Sequence, residues 1–353
     1  MIVVIPTNRA VRLDYLAPLI ESGARFIVVD DSEGSVHVDH PSFEVFHWGD
    51  RERMLGDLDV AMPRRNGACR DFGFYLAWRF SDEDEIVVAL DDDCKVERTD
   101  FADAVRTSLS DAPRPAALGE GGHLNILDLY ENAPDHLFPR GFPYTLRPNY
   151  RRCEFDGRPS CEVKFSLGLW QGVFDVNAID KLEGPPYDHP EARLRFESVT
   201  IPTGQLVSVC SMNMHFRREV LPAVYQLPMH VEVMPGWKID RYGDIWGGFI
   251  LKTLMDAKGD GMAVGGPMIR HLKDGNYLRN VWQEHVCHLA NDEFLDILGR
   301  AAETLHPAPY LDMMGQLTEE LRRPAEAASP LLRSYLQHLD HCLRAWVAAL
   351  EAC

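Results

Sequence analysis

The chain has 353 residues, 46% of them hydrophobic, which suffices for one large domain or two medium ones with a full core. Lysine and arginine number 36 against 54 acidic residues, and the net charge of −18 disfavours nucleic acid or an anionic membrane surface as a general partner. Met1 to Pro6 carry no charged leader, and no later apolar run approaches the length of a membrane span, so a soluble, cytoplasmic protein is expected.

Residues 2–6 form a short apolar run closed by Pro6 and Thr7, after which Val11, Tyr15, Leu16, Leu19 and Ile20 recur at helical spacing up to Gly23. Residues 25–31 then read as a buried strand ending in Asp30 and Asp31. Strand, helix and strand at this spacing open an α/β sheet with parallel strands, and ligands of such sheets sit beyond the carboxyl ends of the strands. Thr7, Asn8, Arg9, Asp30 and Asp31 fall at that edge.

A third short strand covers residues 43–48, and residues 66–80 read as a helix with Ala68, Phe72, Tyr75, Leu76 and Arg79 on one side. Asn66 opens it. Gly67, Arg70 and Asp71 lie in its first turns, where free backbone N–H groups would meet a diphosphate or ribose. The alternative for Arg70 is a simple ion pair with a nearby acid.

Ile86 to Leu90 are five apolar residues in a row, the mark of a strand buried on both faces, and Asp91, Asp92 and Asp93 follow at once. Three adjacent carboxylates repel one another, which points to a hard divalent cation held by oxygen ligands; an acidic turn capping a helix is the bland alternative.

Residues 111–166 carry seven prolines among short aromatic pieces and read as loops covering the open edge of the sheet. Strands are expected at 165–172 and 206–216, a helix at 244–257, and a short strand or turn at 269–273. After Trp282 the pattern is helical, and Leu332, Tyr335, Leu336, Leu339, Leu343, Trp346, Val347 and Leu350 make the stripe of one long helix. The expected division is a domain over residues 1–284 and a helical extension over 285–353, the latter serving packing or oligomerisation. The eight cysteines form no CxxC pair and read as reduced thiols. Neither Cys153 and Cys161 with His285, Cys287 and His288, nor His338 and His341 with Cys342, matches a common zinc spacing.

Several segments occur in a telling order: Ile5-Pro6-Thr7, Val28-Val29-Asp30-Asp31, Asn66-Gly67-Ala68-Cys69-Arg70-Asp71-Phe72-Gly73-Phe74 and Leu90-Asp91-Asp92-Asp93-Cys94. Leu167-Gly168-Leu169-Trp170, Thr200-Ile201-Pro202-Thr203-Gly204, Cys210-Ser211-Met212-Asn213, Arg241-Tyr242-Gly243-Asp244-Ile245-Trp246 and Ile269-Arg270-His271-Leu272-Lys273 follow. Over roughly residues 2–285 this series resembles the reversibly glycosylated polypeptides, whose plant members are UDP-arabinopyranose mutases.

The resemblance implies a GT-A nucleotide-sugar fold, an open and mostly parallel sheet flanked by helices with a helical extension. It also implies a UDP-sugar ligand and a divalent metal, Mn2+ or else Mg2+, at the aspartate triplet. Asp91 and Asp93 would face metal and diphosphate, Asp92 the ribose or sugar, and His271 a further metal or phosphate contact. Thr7, Arg9, Asp30, Asp31, Asn66 and Arg70 would surround the nucleotide, with Arg9 and Lys273 adding charge against the diphosphate. Asp244 would orient a hydroxyl or stabilise an oxocarbenium-like centre. Arg147, in Phe142-Pro143-Tyr144-Thr145-Leu146-Arg147, resembles the arginine that carries a sugar reversibly. A guanidinium stays protonated in nearly all environments, so that role needs a carboxylate beside it.

Two departures fall in the sugar region: Pro148-Asn149-Tyr150-Arg151-Arg152 replaces a small acidic turn, and Gly243-Asp244 replaces paired aspartates. A pyranose/furanose mutase is the first expectation. A transferase acting from a UDP donor, or a nucleotide-sugar-binding partner subunit without activity of its own, are the alternatives, and association of the chain with itself is expected.

Overall fold

Four apolar runs ending in polar residues build one half of the sheet: β1 (Ile2–Thr7), β2 (Arg25–Asp30), β3 (Phe43–Phe46) and β4 (Ile86–Leu90). The computed structural model describes residues 1–32, 34–133, 137–157, 161–183, 188–272 and 275–353. These four strands run parallel in the order β3-β2-β1-β4, with Thr7 opposite Asp30 and Val4 opposite Ala89. All five residues of β4 are buried, each large side chain contributing about 1.5–3 kcal/mol. The acids that follow β2 and β4 therefore emerge at one edge.

The other half comprises β5 (Cys94–Lys95), β6 (Ala116–Leu118), β7 (Glu154–Asp156), β8 (Val163–Val173), β9 (Ser198–Ile201), β10 (Asn213–Arg217) and β11 (Gly261–His271). The full order is β3-β2-β1-β4-β10-β8-β11-β9-β6-β7. β10 runs antiparallel between β4 and β8, β8 and β11 are parallel, and β5 pairs with the end of β11 so that Cys94 faces His271. This mixed, largely parallel sheet with flanking helices is a GT-A-like fold.

The helices are α1 (Ala17–Glu21), α2 (Trp48–Leu55), α3 (Arg70–Phe80), α4 (Phe101–Ser108), α5 (Asp180–Glu183), α6 (Gly243–Lys258), α7 (Tyr277–Ala302), α8 (Tyr310–Glu326) and α9 (Pro330–Glu351). α3 lies directly on β1. A Cβ at Gly73 would come within 2.4 Å of Val4 Cγ1, so this approach needs glycine.

Four details differ from the sequence expectation. α2 and α4 arise in stretches that read as connections. The strand expected at 206–216 breaks: Leu206 and Val207 pair with His123 and Leu124 in a separate two-stranded sheet, and residues 208–212 are in no strand before β10 begins. β11 starts at Gly261, well before residue 269; Gly265, Gly266 and Pro267 interrupt the apolar run there and shift its register against β8. Finally, α7 runs unbroken across the 284/285 boundary, and the C-terminal helices share one apolar core with the sheet. Trp346 donates to the Pro222 carbonyl at 2.9 Å and Tyr335 to that of Pro228 at 3.2 Å. Among the described residues no helix is long and apolar enough to cross a membrane.

Candidate functional site

The edge beyond β1, β2 and β4 holds a cleft of about 610 Å³, lined by Thr7, Asn8, Arg9, Asp31, Arg65, Asn66, Gly67 and Asp92 among others. Five of these are residues expected from sequence to surround a nucleotide. Thr7 donates its hydroxyl to Asp92 at 2.5 Å, and Arg9 Nε donates to the same carboxylate at 2.9 Å. Arg9 also pairs with the second oxygen of Asp92 and, at 3.2 Å, with Asp93. Asp31 accepts from Trp48 Nε1 at 2.8 Å, and burial pushes its carboxyl up.

Asp30 lies beneath this cleft and does not line it. It accepts from the Ser32 amide at 2.8 Å, from His47 Nδ1 at 2.7 Å and from the Val36 amide at 3.3 Å. Burial opposes its charge, yet the hydrogen bonds from Ser32, His47 and Val36 outweigh burial and hold its carboxyl below the usual range. Asp30 thus shapes the loop that follows β2. Asn66 likewise holds backbone in place. Its Oδ1 caps the turn at Ala68 N, 3.1 Å away, and its Nδ2 donates to the Met229 carbonyl at 2.5 Å.

Arg70 forms a buried ion pair instead of meeting a ligand. It donates to the Leu90 carbonyl at 3.1 Å and pairs with Asp91 Oδ1, which is the alternative reading of this residue. Burial raises the Asp91 carboxyl above its ordinary value, Arg70 and His271 acting against that and the neighbouring aspartates with it. At the other end of the triplet, Asp93 Oδ1 lies 3.9 Å from His271 Nε2. His271 Nδ1 donates to the Val173 carbonyl at 2.7 Å, which fixes the tautomer and leaves the Nε2 lone pair facing Asp93. Asp91, Asp93 and His271 thus share one edge, although their ligand atoms do not converge, because Asp91 and Asp93 each hold an arginine. Lys273 lies outside the described residues.

A second cluster sits on the other side of β10. Arg140 is its centre, buried between Asp175, which accepts from Nη2 at 2.8 Å, and Asp244, which accepts from the same nitrogen at 2.9 Å. Nη1 also donates to the Arg241 carbonyl. Burial opposes charge on both Arg140 and Asp175, but their mutual attraction wins: the guanidinium is raised well above its usual value and the carboxyl is held well below its own. Asp244, in the first turn of α6, also accepts from the Ser211 amide at 3.3 Å. Among the described residues, Asp175, Cys210 and Asp244 are the one set of three metal-ligand types whose atoms lie within 4.8 Å of one another. The Arg140 guanidinium lies among them. Burial pushes the Cys210 thiol up, with Asp175 and Asp244 adding to the effect. Residues 211–213 join this cluster to the aspartate triplet: the Ser211 amide donates to Asp244, and Asn213 pairs with Leu90, the residue before Asp91.

Arg147, on the turn Tyr144–Asn149, stacks over the Tyr144 ring at 3.8 Å and the Phe138 ring at 4.6 Å. Its Nη1 donates to Asp180 at 3.0 Å, while Nε and Nη2 are buried and have no hydrogen-bond partner among the described residues. Two buried donors left open in an aromatic box are a costly arrangement for a protein to keep unless a ligand answers them.

Sequence reasoning names Arg147 and Asp244 but not Arg140, Asp175 or Asp180, which the structure joins to them by ion pairs. One signal is present: Asp175 stands two residues beyond the end of the buried strand β8, the same strand-end position that makes Asp91 to Asp93 conspicuous.

The family model described as reversibly glycosylated polypeptide matches residues 1–351. The chain is similar to "Probable UDP-arabinopyranose mutase 1" of Pisum sativum, at 30% identity over 99% of this chain and 90% of the pea protein. It is also similar to "UDP-arabinopyranose mutase 1" of Arabidopsis thaliana, at 26% identity over 99% of this chain and 91% of that protein. "Probable UDP-arabinopyranose mutase 4" of Arabidopsis thaliana is 27% identical over 99% and 90%. The likeness therefore extends beyond residue 285, where the motifs stop, and includes the helical extension. The chain belongs to the reversibly glycosylated polypeptide family.

Proposed function

We propose that the protein is a UDP-sugar mutase that interconverts pyranose and furanose forms of a UDP-linked pentose such as UDP-arabinopyranose. The observation that carries this reading is the adjacency, across residues 211–213, of the cleft beyond β1, β2 and β4 and a pair of carboxylate-bound arginines, Arg140 and Arg147. Membership of the family and the names of the curated relatives support it.

UDP binds in the cleft lined by Thr7, Arg9, Asp31 and Asn66, with its diphosphate at the aspartate triplet. The donor types there suit a hard divalent cation, Mn2+ or Mg2+: two carboxylates, Asp91 and Asp93, and the His271 Nε2 that the Val173 contact turns toward Asp93. Binding would require Arg9 and Arg70 to release the carboxylates so that the atoms converge. Such an ion would stabilise the charge that develops on the departing diphosphate. Arg9, 41% exposed, is free to swing from Asp92 and Asp93 toward the phosphates and add to that stabilisation.

Ring contraction requires the C1–O bond to UDP to break with its electron pair leaving on UDP while an arginine nitrogen bonds C1 and gives a proton to its carboxylate. C1–O5 then opens and O4 closes on C1, a proton passing from O4 to O5, and the UDP oxygen displaces the nitrogen, which regains its proton. A protein group that holds C1 meanwhile keeps the sugar from water. The segment 140–147 supplies two guanidinium groups for this. Arg147 has open donors and Asp180 to take a proton; Arg140, kept protonated against Asp175 and Asp244, supplies fixed positive charge. Asp244 therefore acts through Arg140 and not on an acceptor hydroxyl.

Incubation with UDP-arabinopyranose and Mn2+, followed by chromatography of the nucleotide sugars and mass mapping of Arg140 and Arg147, tests the proposal. A furanose product supports it. Transfer to a third molecule without furanose would favour a transferase, and UDP binding without turnover a partner subunit.

A further inference from the structure

We infer that Glu284, on α7, is a positioning residue that sets the geometry of both arginines, so that α7, the helix leading into the extension, is part of the working site. The inference rests on the mutase reading for what the arginines do, and on geometry alone for how they are held.

Glu284 is buried with 1% of its side chain exposed, on a helix whose outer face carries the exposed Leu278, Trp282 and Leu289. A carboxylate in that position needs partners, and its partners come from separate segments. Oε1 accepts from Arg241 Nε at 3.0 Å. Oε2 accepts from the Ala178 amide at 2.9 Å and lies 3.6 Å from His288 Nε2, one helical turn on. His288 Nδ1 in turn lies 2.8 Å from the Tyr242 hydroxyl, which accepts from the Gly141 amide at 3.3 Å. Gly141 follows Arg140 in the chain. Its carbonyl is held from the same helix, by Asn291 Nδ2 at 3.0 Å.

Each link ends beside a group of the sugar cluster. Arg241 presents its carbonyl to Arg140 from a left-handed backbone conformation, φ 63°, which a non-glycine residue holds only when its surroundings impose it. Ala178 precedes α5, where Asn177 Oδ1 accepts from the Asp180 amide at 3.0 Å and so orients the partner of Arg147. Tyr144, on which Arg147 stacks, meets the His288 ring edge-on at 5.2 Å. One buried carboxylate therefore holds Arg241 and the turn at Ala178 by hydrogen bonds and lies against His288, whose Nε2 at 3.6 Å is beyond hydrogen-bond range; His288 and Tyr242 in turn hold the Arg140 backbone at Gly141. No atom of this relay belongs to the nucleotide cleft.

The test uses Glu284→Gln in the full chain, with Arg241→Lys as a second variant should the first fail to fold. Three quantities are read against wild type: kcat for furanose formation, Kd for UDP, and hydrogen exchange at the Gly141 and Ala178 amides. We expect kcat to fall about 10- to 100-fold, as for other buried supporting groups, with the UDP Kd within about twofold. Exchange at Gly141 and Ala178 should accelerate at least about tenfold while that of β1 and β4 stays unchanged. Unchanged exchange and unchanged kcat in a folded variant would overturn the inference. So would a parallel fall in kcat and UDP affinity, which marks general damage. A wild-type protein that makes no furanose defeats the mutase reading, and the exchange measurement still decides the positioning role.

Discussion

His271 donates its Nδ1 proton to the Val173 carbonyl at 2.7 Å, and that bond turns Nε2 toward Asp93 Oδ1, 3.9 Å away. Replacing His271 by Gln removes an imidazole ligand while keeping a polar side chain of similar reach. Mn2+ affinity in the presence of UDP should fall about 10- to 100-fold, read by calorimetric titration. An unchanged affinity removes His271 from the ligand set.

Arg9 pairs with Asp92 and Asp93 from an exposed position, so Arg9→Ala should change stability by less than about 0.5 kcal/mol in a urea titration. Its loss should instead weaken UDP binding about tenfold or more, the worth of a charge-assisted hydrogen bond to phosphate. A variant that binds UDP as wild type does would place Arg9 outside the ligand contacts.

Asp175 and Arg140 are a buried pair, and Asp175→Asn should cost about 3 kcal/mol of stability, toward the low end for such pairs because Asp244 still faces the guanidinium. The pH dependence has a definite sign. The folded carboxyl is depressed, so its contribution is fully present above the unfolded value of about 4 and is lost as pH falls toward the folded one. Wild-type stability should thus decline on acidification below about pH 4 more steeply than that of Asp175→Asn. Equal slopes in denaturant titrations across that range would contradict the pairing.

Arg147 combines stacking on Tyr144 and Phe138 with two open N–H groups, none of which lysine reproduces. Arg147→Lys should keep the UDP Kd within about twofold, since the residue lies outside the nucleotide cleft, and lower furanose formation at least about a hundredfold. Retained turnover would move the sugar-handling role to Arg140.

The cleft half of the candidate site is legible in sequence because its residues are local to strand ends. Thr7, Asp31 and Asp91 to Asp93 each follow a buried apolar run, and their position at one edge follows from parallel pairing of β1, β2 and β4. Sequence also puts Arg70 and Asp30 at that edge but leaves them free for a ligand, since burial and pairing are not visible along the chain. The sugar half is less legible because its partners are far apart: Arg140 meets Asp175 across 35 positions and Asp244 across 104. The extension reads as packing because its apolar stripe dominates the pattern. Glu284 and Asn291, the polar residues that matter on α7, look like ordinary surface positions until the helix is docked.

The central claim is that one site binds UDP at the aspartate triplet and holds the sugar on the arginine segment. It is tested most directly by offering UDP-arabinopyranose with Mn2+ or with a chelator, and following UDP-arabinofuranose by chromatography together with the intact mass of the protein. The account predicts furanose with Mn2+, little or none with chelator, and a sugar-sized mass increase that UDP reverses. Furanose formed equally well under chelation, or no furanose and no added mass with Mn2+, would contradict it.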